Sequence, residues 1–147
     1  MKMNVSHFPL QFICTSTERF ERAIEHFKDR GHPCFQAQDE GQFRRQFSDA
    51  PAAIVIINLL SITETFESII EYATAREPEV LFIAVGLPSQ SSTLKKYYPD
   101  GVHAFVELTD SLQQQLDWAV ENIIESRELE LRLKENQEKL KILSKKN

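Results

Sequence analysis

Residues 52–60 read Ala-Ala-Ile-Val-Ile-Ile-Asn-Leu-Leu. Six apolar residues in succession, four of them β-branched, suit a strand buried on both faces of a parallel sheet, where helices cover each side. The stretch is therefore expected to be the central strand of an α/β fold. Asn58 ends the run at the point where a turn should begin, a place that suits its side chain.

Upstream, Leu10–Cys14 is a short apolar run, and Thr15-Ser16-Thr17-Glu18 after it offers oxygens that can cap a helix. Glu18 lies three residues after Thr15, the spacing of a capping box. Phe20, Ala23, Ile24 and Phe27 then recur at three- and four-residue steps, which predicts an amphipathic helix that Gly31 stops. Cys34–Gln38 alternates in polarity like an edge strand, and a weak helix carrying Phe43 and Phe47 follows. Downstream, Ser61 and Glu64 repeat the capping spacing ahead of Phe66, Ile69, Ile70 and Ala73, and Pro78 closes that helix. Val80–Val85 reads as another buried strand. A loop at Gly86, Pro88 and Ser89–Ser92, a short helix from Leu94 to Tyr98, a turn at Pro99-Asp100-Gly101 and a last strand at Val102–Val106 complete the series.

Strand and helix alternate five times, which calls for right-handed crossovers and helices on both faces. The expected architecture is a flavodoxin-like, doubly wound, five-stranded parallel sheet of order 2-1-3-4-5 with an extended C-terminal helix. Its functional crevice should lie at the carboxyl ends of the first, third and fourth strands.

Composition narrows the function. The 147 residues carry a net charge of -5 with no cluster of Lys and Arg beyond the terminal Lys145–Lys146, which argues against a nucleic-acid surface. The apolar run at 52–60 is far shorter than the roughly 20 residues needed to cross a bilayer, and MKMNVSHFPL has no apolar signal core, so a cytoplasmic chain without a membrane partner is expected. Cys14 and Cys34 form no CxxC pair and read as buried free thiols. His7, His26, His32 and His103 show no ligand spacing and read as solvated. No metal, cofactor, nucleophile elbow, phosphate loop or HExxH is indicated, and the chain is expected not to be a self-contained enzyme.

The strand spacing, the Asn58-Leu59-Leu60 loop after the third strand and Gly101-Val102-His103-Ala104-Phe105-Val106-Glu107-Leu108 through the fifth resemble bacterial response-regulator receiver domains. The likeness covers about Phe8 to Ser126. In that family an acidic pair after the first strand binds magnesium, an aspartate ending the third accepts phosphate, a Ser or Thr ends the fourth, and a lysine follows the fifth. The matching positions here are Thr15 and Ser16, Asn58, Val85 and Leu108. Phosphoryl transfer to a carboxylate needs a nucleophilic oxygen, a cation held by hard anionic ligands and positive charge against the phosphoryl group. None of the five residues supplies these. The resemblance thus implies a degenerate, non-phosphorylatable receiver, a pseudo-receiver from two-component, phosphorelay-type signal transduction.

From Ser111 to the end there is no Gly or Pro, and the composition favours helix. Leu112, Leu116, Ala119, Val120, Ile123 and Ile124 form the broad stripe of a helix on a sheet. Beyond Glu125 the pattern changes: Leu129, Leu133, Asn136, Leu140 and Leu143 alternate steps of four and three, the seam of a coiled coil, with Asn136 placed to fix register. Leu131 and Ile142 lie off the seam, which leaves trimers or another contact open. The expected organisation is a receiver-like domain over residues 1–125 and a linker helix over 126–147. The helix would pair two copies as a homodimer and pass the domain's state to an output domain such as a diguanylate cyclase or kinase. The alternative is a sensor that binds a small molecule or nucleotide in the crevice around Thr15, Ser16, Asn58 and Val85; separately, the hydroxyls of Thr15-Ser16-Thr17 at a helix start could form an anion site, although the stretch lacks the glycine that lets a backbone approach phosphate. Glu107 and Asp110 could also face that crevice.

Overall fold

The computed structural model describes residues 8–62, 65–90 and 102–145. Five parallel strands form one sheet: β1 (Leu10–Ile13), β2 (Cys34–Ala37), β3 (Ile54–Asn58), β4 (Leu81–Gly86) and β5 (Val102–Glu107), in the order β2-β1-β3-β4-β5. The expected order is met, and β3 is central and buried along its whole length. Helices α1 (Glu18–Asp29), α2 (Glu40–Asp49), α3 (Phe66–Arg76) and α4 (Leu112–Lys145) complete the described elements. The expected helix from Leu94 to Tyr98 and the turn at 99–101 lie outside the described residues.

The two-residue period of the strands divides the core into two layers. Leu10, Phe12, Ile54, Ile56, Ile83, Val85 and Val106 face α1 and the first half of α4, meeting Phe20, Phe27, Leu116 and Ile123. Ile13, Val55, Ile57, Phe82 and Ala84 face α2 and α3, meeting Phe43, Phe47, Ile69 and Ala73. Both sides of β3 are thus needed apolar, which explains its unbroken run of aliphatic side chains.

The caps depart from the sequence reading. Thr17, not Thr15, caps α1, accepting from the Phe20 amide at 3.5 Å. Thr65, not Ser61, caps α3, accepting from the Ser68 amide at 3.2 Å, and Glu64 lies outside the described residues. In each case several hydroxyls compete within a few residues, and the turn geometry selects the one nearest the helix. The stop of α1 is as expected: Gly31, at φ 92°, lets its amide reach the Lys28 carbonyl while the His32 amide reaches Phe27, a Schellman closure.

Two of the histidines also depart, whereas His103 on β5 is exposed as expected. His26 is not solvated but sits 3.0 Å from Asp117 on α4, and Arg30 adds ion pairs to Asp117 and Glu121, so polar groups fasten α1 to α4. His32 is buried with Nδ1 3.0 Å from the Phe8 carbonyl. His7 lies outside the described residues.

At the edge of the sheet, the even-numbered residues of β2 turn their main-chain groups away from β1. Two such groups, one in β2 and one just after it, are taken by glutamines of α2: Gln46 Nε2 donates to the Gln36 carbonyl at 2.9 Å, and Gln42 Oε1 accepts from the Gln38 amide at 2.8 Å. Among the described residues no helix is long and apolar enough to cross a membrane.

Candidate functional site at the carboxyl ends of the strands

Parallel register decides what meets at the top of the sheet. Asn58 is the partner of Val85 across β3 and β4, and Ile13 is the partner of Ile57. Carrying the β1 register one step further sets Cys14 level with Asn58. The loop residues Thr15 and Ser16 lie beyond it. The Thr15 amide donates to the Ser61 hydroxyl at 3.1 Å, which ties the loop after β1 to the turn after β3. Ser16 bonds Glu21 at 2.5 Å and is exposed.

Asn58 is 4% exposed, and its Oδ1 accepts from the Leu60 amide at 3.1 Å, starting the 3-10 turn Leu59–Ser61. Its acceptor is turned back into its own loop, and an amide has no nucleophilic oxygen to offer. Val85 is wholly buried in the layer beneath α1 and α4. Leu108 packs against that same layer, with its amide donating to the Gly86 carbonyl at 3.0 Å. A side chain at Gly86 would meet Gln90 and, at 3.1 Å, Leu59. Gln90 Oε1 accepts from the Leu87 amide at 2.8 Å and so folds over the end of β4. Leu59, Gln90 and Leu108 therefore crowd the ends of β3 and β4 without filling the space beside Asn58.

Cys14 extends this apolar floor. Burial pushes its thiol up to about 12, partly offset by a hydrogen bond from Gln36, so it stays protonated at neutral pH and offers no thiolate. Burial likewise pushes the Cys34 thiol up to about 11. Both cysteines are free; Cys34 is only half-buried.

A cleft of about 460 Å³ remains beside the site, lined by Thr17, Arg19, Asn58, Leu108, Asp110 and neighbours. Arg19 spans it, donating to Asp110 Oδ1 from Nε at 3.1 Å and Nη2 at 2.7 Å. Asp110 thus reaches the cleft as an ion-pair partner, while Glu107 is exposed at the end of β5. Among the described residues no three His, Cys, Asp or Glu side chains are grouped to hold a metal ion.

No family model matches the chain, and no curated protein matches it. Solved structures do. NtrX from Brucella abortus superposes with a TM-score of 0.75 at 14% identity over 88% of this chain, which spans only 29% of the length of NtrX. A response-regulator receiver-domain protein from Clostridium thermocellum gives 0.68 at 14%, covering 83% of this chain and 98% of its own. Its fold is that of a response-regulator receiver domain. The beryllofluoride-activated NtrC4 receiver domain, solved as a dimer, gives 0.69 at 11%, over 80% of this chain and 97% of its own. At such identities the likeness establishes the fold, and the residues at the site must speak for the chemistry.

The sequence placed Thr15, Ser16, Asn58, Val85 and Leu108 together, and the structure brings Asn58, Val85 and Leu108 to one end of the sheet. Cys14, Arg19, Ser61 and Gln90 were missed. The parallel register could have supplied Cys14, whereas Arg19 and Asp110 are 91 residues apart and left no local signal.

The remaining predicted residues lie on α4. Leu129, Leu133, Leu140 and Leu143 are 57%, 60%, 65% and 60% exposed, and Asn136 is exposed between them. A row of leucines in water is costly, at about 1.5–3 kcal/mol per side chain that could be buried.

Proposed function

We propose that the chain is a receiver-like regulatory module that works without aspartyl phosphate, and that α4 pairs two copies and carries their state to an output domain. The observation that carries this reading is Asn58. It stands at the end of the central strand, buried, its oxygen bonded to Leu60, with Cys14 and Val85 level with it and Leu108 beyond. Among the described residues a phosphoryl group there would meet no nucleophilic carboxylate, and the guanidinium of Arg19 in the adjoining cleft is already engaged with Asp110. The input is then binding of a partner or ligand, or dimerisation itself, acting on a two-state helix pair.

The exposed leucines from Leu129 to Leu143 support the pairing, since most of a helix's stability in a protein comes from packing its apolar face. An output domain of the diguanylate cyclase or histidine kinase type fits a helix that leaves the domain in this way, by analogy of architecture.

Incubation with acetyl phosphate and magnesium should leave the intact mass unchanged. A product 80 Da heavier, about the mass of a phosphoryl group bound through one oxygen, overturns the reading. Sedimentation of the full chain should show a concentration-dependent dimer that is lost on truncation after Glu125.

A further inference from the structure

We infer that Trp118 carries the dimer contact up from the exposed leucines onto the globular domain, where it packs against a second copy of this chain. The inference rests on the reading of α4 as a dimerisation helix. Trp118 is 69% exposed, the most exposed large apolar side chain among the described residues, although it belongs to the half of α4 that lies on the sheet.

Helical geometry explains why a second copy is the occupant. At about 100° per residue, Trp118 falls within about 20° of the mean direction of Leu129, Leu133, Asn136, Leu140 and Leu143. All six therefore share one face of an unbroken 34-residue helix. Leu112, Leu116, Ala119, Val120, Ile123 and Ile124, which are buried against the sheet, point roughly the opposite way. A partner helix running parallel along the leucine face thus reaches Trp118 on the side of α4 turned away from its buried stripe. In a two-fold pair of parallel helices each residue near the axis meets its own copy, so Trp118 packs beside the second Trp118.

Charge agrees with this. Ser111, Gln114, Gln115 and Asn122 flank Trp118 and carry none. The nearest acids, Asp117 and Glu121, are held by Arg30 of the same chain. The first carboxylate along the face is Glu125, two turns below. Burial of an indole there meets no unpaired charge on the helix, and Trp is among the residues most enriched at side chains that anchor interfaces.

Trp118 is the only tryptophan in the chain, so its fluorescence reports on the contact directly. Emission should shift to the blue with concentration, in step with dimerisation followed by sedimentation equilibrium. Trp118→Gln should raise the dissociation constant about 30-fold with unchanged circular dichroism, and Asn122→Cys should cross-link two copies under mild oxidation. The inference is overturned by a dimer that Leu133→Lys abolishes but in which Trp118 keeps a water-exposed emission and Trp118→Gln leaves the affinity unchanged. That outcome leaves the dimerisation helix standing. A wild-type chain that remains monomeric at the highest concentrations overturns both.

Discussion

Arg127 of α4 donates to the main-chain carbonyl of Glu79, in the loop before β4, at the point where the helix leaves the domain. The same guanidinium lies 3.6 Å from the Glu79 carboxylate and 3.7 Å from Glu130. Its charge, after burial, also holds the imidazole of His103 below the usual histidine range. Arg127→Met should therefore raise the His103 pKa, read by NMR titration, and speed amide exchange around residues 125–131.

His103 also fixes a pH dependence. Because the unfolded chain binds this proton more readily than the folded one, the group contributes stability that is fully present above its unfolded pKa near 6.5 and is lost as pH falls through the lower folded value. Denaturant midpoints measured from pH 7.5 downward should decline in that window. His103→Gln should remove that part of the decline.

Asn58→Ala should cost about 1–2 kcal/mol in urea unfolding, because it strips the Leu60 amide of its partner and opens a small void in a buried site. Asn58→Asp keeps the turn acceptor but places a carboxylate where only 4% of the residue is exposed. It should lose stability as pH rises through the carboxylate's raised pKa, and still take no phosphate from acetyl phosphate, since neighbouring Thr15, Ser16 and Leu108 remain unable to hold the magnesium or the phosphoryl charge.

Gln42 and Gln46 occupy main-chain groups in and just after β2 that would otherwise face water at the sheet edge. An open edge is a template for another strand. Replacing both glutamines by Ala should cost about 1–3 kcal/mol for two lost hydrogen bonds and raise light scattering on mild heating. Unchanged scattering would show that the twist of the edge alone protects it.

The two halves of α4 should respond differently to the same change. Leu116 is wholly buried beneath the helix, so Leu116→Ala should destabilise the domain by about 2–5 kcal/mol. Leu140 is 65% exposed, and Leu140→Ala should leave the monomer's unfolding midpoint unchanged while weakening dimerisation.

The fold was legible because a parallel sheet demands it: strands such as 54–57 and 82–85 must be apolar on both faces, and that constraint is local in sequence. The edge position of β2 was legible from the mixed polarity of Cys34–Gln38 for the same reason. Helix caps were less so, since Thr15, Ser16 and Thr17 offer equivalent oxygens within one turn. The crowding at the ends of β3 and β4 was visible only where resemblance pointed to particular residues. Gln90 over Gly86, Arg19 on Asp110 and His26 on Asp117 are meetings of distant segments, and nothing in either segment alone announces the other. Trp118 was passed over because it interrupts no apolar stripe; its meaning comes from the direction it points.

Because Leu112 to Ile124 are anchored and Arg127 is tied to Glu79 while about eighteen residues of the helix follow it, α4 would behave as a lever with its fulcrum near Arg127. The free arm is about 30 Å long at 1.5 Å per residue, so a tilt of only about 5° at the fulcrum moves its tip by about 3 Å. Small repacking on the sheet, too slight to alter any single contact greatly, would arrive at the far end as a displacement large enough to change how two such arms mesh.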